Sequence, residues 1–316
     1  MELFPIQPSN EGLTHVKTNL ATTGTGILAA ALLTLAAAAP ANATPSEDPA
    51  ELIQRVAPMQ GDVVPLQQDA AAVFTAPTAS IPADPAAPIT VHGGEGVELP
   101  VSIPSQLQVT PPTASADGTI VYASEADGVD FATQVLDNGI VRMQTILSSP
   151  DDPHSFTYEL GNGFIPAEAA DGSLWAYRFN DAGEIEMFGI GEAWARDANG
   201  ADVPTHYEVT GNTLTQVVEP AADAAYPIVA DPTWQWYNAA YGAGFSKQET
   251  KDLASAGAIT GFCTALGKTP PLAAACAIAG AQWFLQAGLA ANANECVFIA
   301  AVPAPLAVRW ISNECR

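Results

Sequence analysis

The sequence predicts an α+β protein: a mainly-β, sandwich-like domain followed by a small disulfide-stabilised α-hairpin domain that ends in a short β-hairpin. Three observations lead there. From about Ile89 to Asp231 short apolar runs alternate with period two between Asp-Gly, Asn-Gly and Gly-Asn turns. From Trp234 onward the alternation stops, and alanine and glycine recur at helical spacing. All four cysteines, Cys263, Cys276, Cys296 and Cys315, fall in that last stretch. The expected organisation is a signal peptide over 1–43, a largely disordered Pro/Ala-rich linker over 44–112, the β domain over 113–233 and the cysteine-containing domain over 234–316.

The first segment reads as an export signal. Residues 27–39 form an uncharged apolar run, followed by Ala41-Asn42-Ala43, which fits the small-x-small pattern of signal cleavage after Ala43. The mature chain then starts at Thr44, and the expected location is extracellular. The run is shorter than the roughly 20 residues needed to span a bilayer. Residues 44–112 contain 12 prolines, which suits an extended linker better than a packed fold. A short helix is expected within it, around Ala50 to Val56.

Within the β domain the clearest hairpin runs from Val129 to Leu136, through Asp137-Asn138-Gly139, and back from Ile140 to Leu147. Trp175, Tyr177 and Phe179 alternate along the next strand and are expected to point together into a core. His206 to Thr210, Gly211-Asn212 and Thr213 to Val218 form another hairpin, with Tyr207, Val209, Leu214 and Val218 as the inward residues.

In the tail, Ser246-Lys247-Gln248-Glu249 is a capping box, opening a helix expected to reach about Leu266. Gly267 stops it, and Pro270-Pro271 open a second helix to about Asn292. Four cysteines allow three pairings, and their positions alone do not choose among them. In an antiparallel helical hairpin, however, Cys263 and Cys276 fall at similar heights, which favours that bridge. Cys296 and Cys315 then hold the open end of a strand pair over 297–302 and 306–311. The spacings of 13, 20 and 19 do not suit a zinc site, which uses close C-x2-C pairs.

The net charge of -24 argues against nucleic-acid binding, because that affinity rests on cationic side chains displacing phosphate counterions. The imbalance is local. Residues 44–240 carry 4 basic and 28 acidic side chains, while the tail is nearly neutral. The charge-free stretch 269–294 is the one segment expected to be capable of membrane contact, and a buried helix is its plainer assignment.

Catalytic chemistry is sparse. The mature chain has three histidines, His92, His154 and His206, and neither a G-x-S-x-G elbow nor an H-E-x-x-H motif. A glycosidase could enlist Glu184, Glu186 and Glu192 near Trp175 and Trp194. The plainer assignment puts Glu184 and Glu186 on the solvated side of a strand, with Ile185 and Met187 inward. Asp127, Asp130, Asp197 and Asp202 flank glycine turns and are the candidate calcium ligands, although neither loop matches an EF-hand. No catalytic residue, bound metal or cofactor is expected.

Three segments, Trp194 to Gly200, Tyr207 to Leu214 and above all Ala225-Tyr226-Pro227-Ile228-Val229-Ala230-Asp231-Pro232-Thr233-Trp234, resemble uncharacterised secreted proteins of high-GC Gram-positive bacteria, the actinobacteria. A similar Tyr-Pro-x-x-x-Asp-Pro ending closes the β domain that precedes Rhs/YD-type repeats. The resemblance implies export and a β domain, and it supplies no catalytic residue. This chain has no such repeats. The expected function is therefore a secreted, non-enzymatic role in binding or at the cell surface, toward an extracellular or cell-envelope partner. The alternative is a pro-protein whose acidic β domain escorts a membrane-active or antibacterial C-terminal peptide, released by cleavage between Asp231 and Phe245.

Overall fold

A computed structural model describes residues 48–69, 73–126, 128–237, 241–254, 270–310 and 315–316. Among the described residues the architecture is mostly antiparallel β, with one short α-helix ahead of the sheets and two α-helices towards the C-terminal side. The export signal and the Thr44 start lie outside the described residues, as does Asp127.

The expected linker is folded. Asp48 caps a helix over Pro49–Val56, its carboxylate accepting from the Ala50 N–H at 2.9 Å, and Leu52, Ile53 and Val56 are buried against the sheet. A five-stranded antiparallel sheet follows: Gln67–Gln68, Val73–Ala76, Ala79–Pro82, Ile89–His92 and Glu98–Val101. Its prolines mislead because they sit where a ladder tolerates them: Pro82 ends its strand, and Pro100 lies in the edge strand. Between them Ile81, Ile89, Val91, Leu99 and Val101 alternate inward and join one core with Tyr122, Phe131, Met143, Phe188 and Trp234. The chain from Glu47 to Arg316 forms one compact unit, so the expected boundaries at 113 and 234 do not separate independent bodies.

The central sheet orders its strands Ile165–Glu168, Leu174–Phe179, Ile185–Ile190, Thr233–Tyr237, Val141–Leu147, Asp130–Val135, Ile120–Tyr122 and Thr113–Ala114. All seven residues of Val141–Leu147 are buried, because the first helix covers one face and the common core the other. On the helix side the buried Arg142 donates to Gln60 Oε1 at 3.0 Å, to Gln134 Oε1 at 3.4 Å and to the Pro58 carbonyl. The Val129-to-Leu147 hairpin pairs Val135 with Val141, and Gly139 adopts φ +85, a conformation that favours glycine.

Asp231-Pro232 does not end the domain. Ile228–Ala230 pairs with Thr145 to Leu147, and Thr233 and Trp234 pair with Arg142 and Val141 on the same neighbour, so the chain passes through the middle of the sheet. The Pro232 carbonyl accepts from Met143 N–H at 2.9 Å within this joint. Thr233–Tyr237 is thus a central strand, where helical spacing had been expected to begin.

Ser155–Glu159, Thr213–Val218 and Thr205–Thr210 make a separate three-stranded sheet. Leu214 and Val218 face inward as expected and Tyr207 is half-buried, but Val209 is exposed beside the Gly211-Asn212 turn. In the tail a third strand, Tyr241–Phe245, joins Cys296–Val302 and Leu306–Trp310. This small sheet has two covered faces. Phe298, Ala300 and Trp310 meet Trp175 and Tyr177, which makes the aromatic stripe core, while Val297 and Ile299 meet the helix Pro270–Asn292 through Ala279, Trp283 and Ala287. The Ser246 capping box forms, with Glu249 N–H donating to Ser246 Oγ at 3.3 Å and Ser246 N–H to Glu249 Oε2 at 2.8 Å. Its helix is described over Lys247–Leu253, and the remainder expected to Leu266 lies outside the described residues. A disulfide joins Cys296 to Cys315, and Cys276 is also disulfide-bonded, while its expected partner Cys263 is outside the described residues. Among the described residues no helix is long and apolar enough to cross a membrane.

Candidate functional site

A cleft of about 570 Å³ opens where the N-terminal sheet, the central sheet and the C-terminal sheet come together. Its walls are Gly94, Glu95 and Val97, the hairpin turn from Asn180 to Glu186, the Trp236 indole, and Gly242 and Gly244 in front of Phe298 and Trp310. Each wall has a local cause. Glu95 sits at φ 57 between two glycines, which turns the chain sharply and leaves its carboxylate exposed. Gly93 lies flat on Trp236, whose ring packs at 4.9 Å from that of Phe188. A Cβ at Gly244 would collide with the Trp310 ring, and one at Gly242 would press on Phe298 and on the Ile299 carbonyl, so these glycines let the strand Tyr241–Phe245 lie close over both aromatics.

The electrostatics of this cleft are one-sided. Glu95 and Glu184 are exposed in it, Glu184 accepting from Asn180 Nδ2 at 3.0 Å. Glu186 is neutralised by Arg178 Nε at 2.5 Å. The Arg178 guanidinium is otherwise spent on the Asn162 carbonyl, at 3.0 Å, and on the Phe164 ring, at 4.6 Å. Trp310 Nε1 donates to the Gly183 carbonyl at 3.3 Å, pinning the ring to the Asn180–Glu186 turn. The arrangement presents two exposed carboxylates in a cleft whose aromatic rings are largely covered, and it is the carboxylates that suit a cationic group.

The other expected site residues are dispersed. Glu192 lines a separate cavity of about 560 Å³ with Asp171 and His206. Trp175 is core, and Trp194 lies beside Asp231. Of the calcium candidates among the described residues, Asp130 and Asp197 act as turn staples. Asp130 accepts from Ser124 N–H at 2.7 Å, and burial raises its pKa, a shift that the Ser124 bond opposes and Asp152 reinforces. Asp197 accepts from the N–H groups of Asn199 and Ala201 at 2.9 Å and of Ala225 at 3.3 Å; burial works to raise its pKa, but these bonds prevail and lower it. Asp202 binds Arg196 at 3.1 Å. Among the described residues no group of three or more His, Cys, Asp or Glu side chains is placed to hold a metal.

The histidines are equally separate. His154 Nε2 is 3.4 Å from the Tyr226 hydroxyl, and His206 lies 3.8 Å from Glu208 and 3.7 Å from Glu219. His92, assigned by composition to a linker, instead sits on a strand with Ser80 Oγ at 2.8 Å from Nε2 and Glu98 Oε1 at 3.8 Å from Nδ1. Sequence reasoning missed this trio because it exists only through the register that sets Ser80 against Thr90 and His92 against Glu98.

Asp231, the last acidic residue of the Tyr-Pro-x-x-x-Asp-Pro segment, is fully buried. Its Oδ1 accepts from Trp194 N–H at 3.0 Å and from Gln216 Nε2 at 3.2 Å. Burial raises its pKa to about 8, against the opposing pull of the Trp194 N–H, the nearby Tyr207 hydroxyl and Arg142. No protein-family model matches the chain, and neither a curated protein nor a solved structure shows significant similarity to it.

Proposed function

We propose that the protein is an exported, non-enzymatic binding protein that holds a ligand bearing a cationic group in the cleft between Glu95, Glu184, Trp236 and Trp310. We read its central sheet, faced by the N-terminal and three-stranded sheets, as a sandwich that carries this cleft at its junction with the tail. The observation that carries the proposal is the imbalance inside the cleft: two exposed carboxylates line it while the adjacent guanidinium is already engaged. An acidic surface concentrates cations near such a cleft, and the paired carboxylates of Glu95 and Glu184 then attract the cationic group. The pro-protein alternative is served less well, because cleavage before Tyr237 would sever Thr233–Tyr237, a central strand, and cleavage between Tyr241 and Phe245 would cut the strand that pairs with Cys296–Val302.

The test is titration with a short oligolysine peptide, followed by tryptophan fluorescence. Glu95→Gln combined with Glu184→Gln is expected to weaken binding by roughly tenfold, in line with about 1 kcal/mol or less for each exposed charge pair. The charge-matched control, Glu51→Gln combined with Asp223→Asn on exposed positions elsewhere, is expected to change it less than twofold. Equal weakening by both pairs would mean the peptide reads only the net charge and would refute the cleft.

A second reading rests on Ser80, His92 and Glu98. With the His92 proton on Nδ1, the Ser80 hydroxyl donates to Nε2, and Glu98 lies on the Nδ1 side, the order used in acyl transfer. A fluorophosphonate probe distinguishes a nucleophile from a surface hydrogen bond. Labelling of the native chain that is lost in Ser80→Ala would establish this reading, and a native chain that stays unlabelled would dismiss it.

A further inference from the structure

Deep in the fold, Asp231 Oδ2, Gln216 Oε1 and the hydroxyls of Tyr158 and Tyr207 have no well-formed hydrogen bond to another described residue, although the Tyr207 hydroxyl lies close enough to the Asp231 carboxyl to act on it as a donor. Asp231, Gln216 and Tyr158 are each 0% exposed. The ladders bring them to one face. Gln216 stands opposite Phe156 on one side and Tyr207 on the other, and Tyr158 follows Phe156 by two residues, so all three polar side chains leave the same side of the three-stranded sheet. Asp231 meets that face from the central sheet, tied through Oδ1 to Gln216 and to the Trp194 backbone. Its charge acts on both tyrosyl hydroxyls, whose pKa values burial and Asp231 together hold well above the ordinary value.

Buried polar atoms left without partners are costly, and those of native proteins are paired with protein or with ordered water. The chemistry of the four atoms specifies the guest. Gln216 Oε1 only accepts, each hydroxyl both donates and accepts, and Asp231 Oδ2 donates when protonated and accepts when ionised. A metal ion could take Gln216 Oε1 as a ligand directly, but it also needs an ionised carboxyl, and here the one carboxyl is fully buried and the Arg142 guanidinium already acts on it. A water molecule, with two donors and two acceptors, satisfies the set in either protonation state of Asp231.

We propose that Asp231, Gln216, Tyr158 and Tyr207 enclose one integral water molecule, which joins the three-stranded sheet to the central sheet at the Asp231-Pro232 joint. It holds the two sheets in register as a structural part of the protein. This explains why the Tyr-Pro-x-x-x-Asp-Pro segment ends on a buried acid: Oδ1 fixes the Trp194 segment, and Oδ2 fixes the water.

A high-resolution crystal structure of the mature chain tests this. The expected density is a single peak at hydrogen-bond distance, about 2.6–3.2 Å, from at least three of the four atoms. Direct Tyr207–Asp231 and Tyr158–Gln216 hydrogen bonds with no peak between them would overturn the proposal, and so would a peak at shorter, metal-like distances. Oxygen-17 relaxation dispersion in solution provides a measurement that needs no variant. A long-lived water lost in Tyr158→Phe combined with Tyr207→Phe supports the site, and its retention in a folded double variant refutes it. Thermal midpoints in sodium, potassium and choline chloride at equal ionic strength are expected to coincide. A midpoint specific to one alkali cation would identify a metal guest and overturn the proposal.

Discussion

Raising the pH from 5 to 8 is expected to destabilise the protein through Asp231. Its pKa is raised by burial from 3.8 to about 8, so between those values the folded chain holds a proton that the unfolded chain releases. Over that window stability falls as pH rises, by about 1.4 kcal/mol per unit for a single such group, and it levels above the folded pKa. From pH 6 to pH 8 the loss is on the order of 2 kcal/mol, a large share of the usual 5–15 kcal/mol. Asp197 and Glu249, whose carboxyls are lowered, act in the opposite sense only in stronger acid, near ordinary carboxylate values. Asp231→Asn keeps an acceptor for Trp194 and Gln216 and remains neutral at every pH. Its urea midpoint is therefore expected to vary little between pH 6 and pH 8 and to exceed that of the native chain at pH 8. Parallel pH profiles for the two chains would show that Asp231 is ionised in the fold.

Trp234→Ala is expected to cost about 3–5 kcal/mol, the usual range for emptying a fully buried tryptophan site. Trp234 is 0% exposed, pairs across the sheet with Ile190 on one side and Val141 on the other, and belongs to the same core as Phe131 and Leu99. Val209→Ala, on an edge strand at 40% exposure, serves as the internal comparison and is expected to change stability by about 0.5 kcal/mol or less. If residues 232–234 were a hinge between separate domains, the two substitutions would cost similar, small amounts in urea unfolding.

What was legible in the sequence is what depends on neighbours in the chain. The Asn138-Gly139 and Gly211-Asn212 turns, the Trp175-Tyr177-Phe179 stripe and the Ser246 capping box each declare themselves within a few residues, because turn conformation, pleat and cap are local. The N-terminal sheet was hidden by its prolines, although Ile81, Ile89, Val91, Leu99 and Val101 carry the alternation of a half-buried strand. Val141–Leu147 was seen as a hairpin arm but not as a strand covered on both faces, since the helix that covers it comes from the segment assigned to a linker. Asp231-Pro232 looked like an ending because proline breaks a ladder; here the break is brief, and the same neighbour resumes pairing at Thr233.

The site was less legible, for a geometric reason. The sequence marks Glu184 as an acid near Trp175 and Trp194, but the cleft needs Glu95, Trp236, Gly244 and Trp310, which lie far apart in sequence and meet only in the folded chain. Ser80, His92 and Glu98 are close in sequence, yet their contact depends on strand register, which a composition dominated by proline concealed. The buried Asp231 group needs two sheets at once.

All of this rests on the N-terminal segment being part of the fold, since it supplies one wall of the cleft and one face of the core. Native-state hydrogen exchange measures that directly. The amides of Ile81, Val91 and Leu99 are expected to exchange through the same global opening as those of Met143 and Phe188, with comparable protection. Fast exchange across residues 73–101, with protection confined to the central sheet, would contradict the account and restore the segment to a linker.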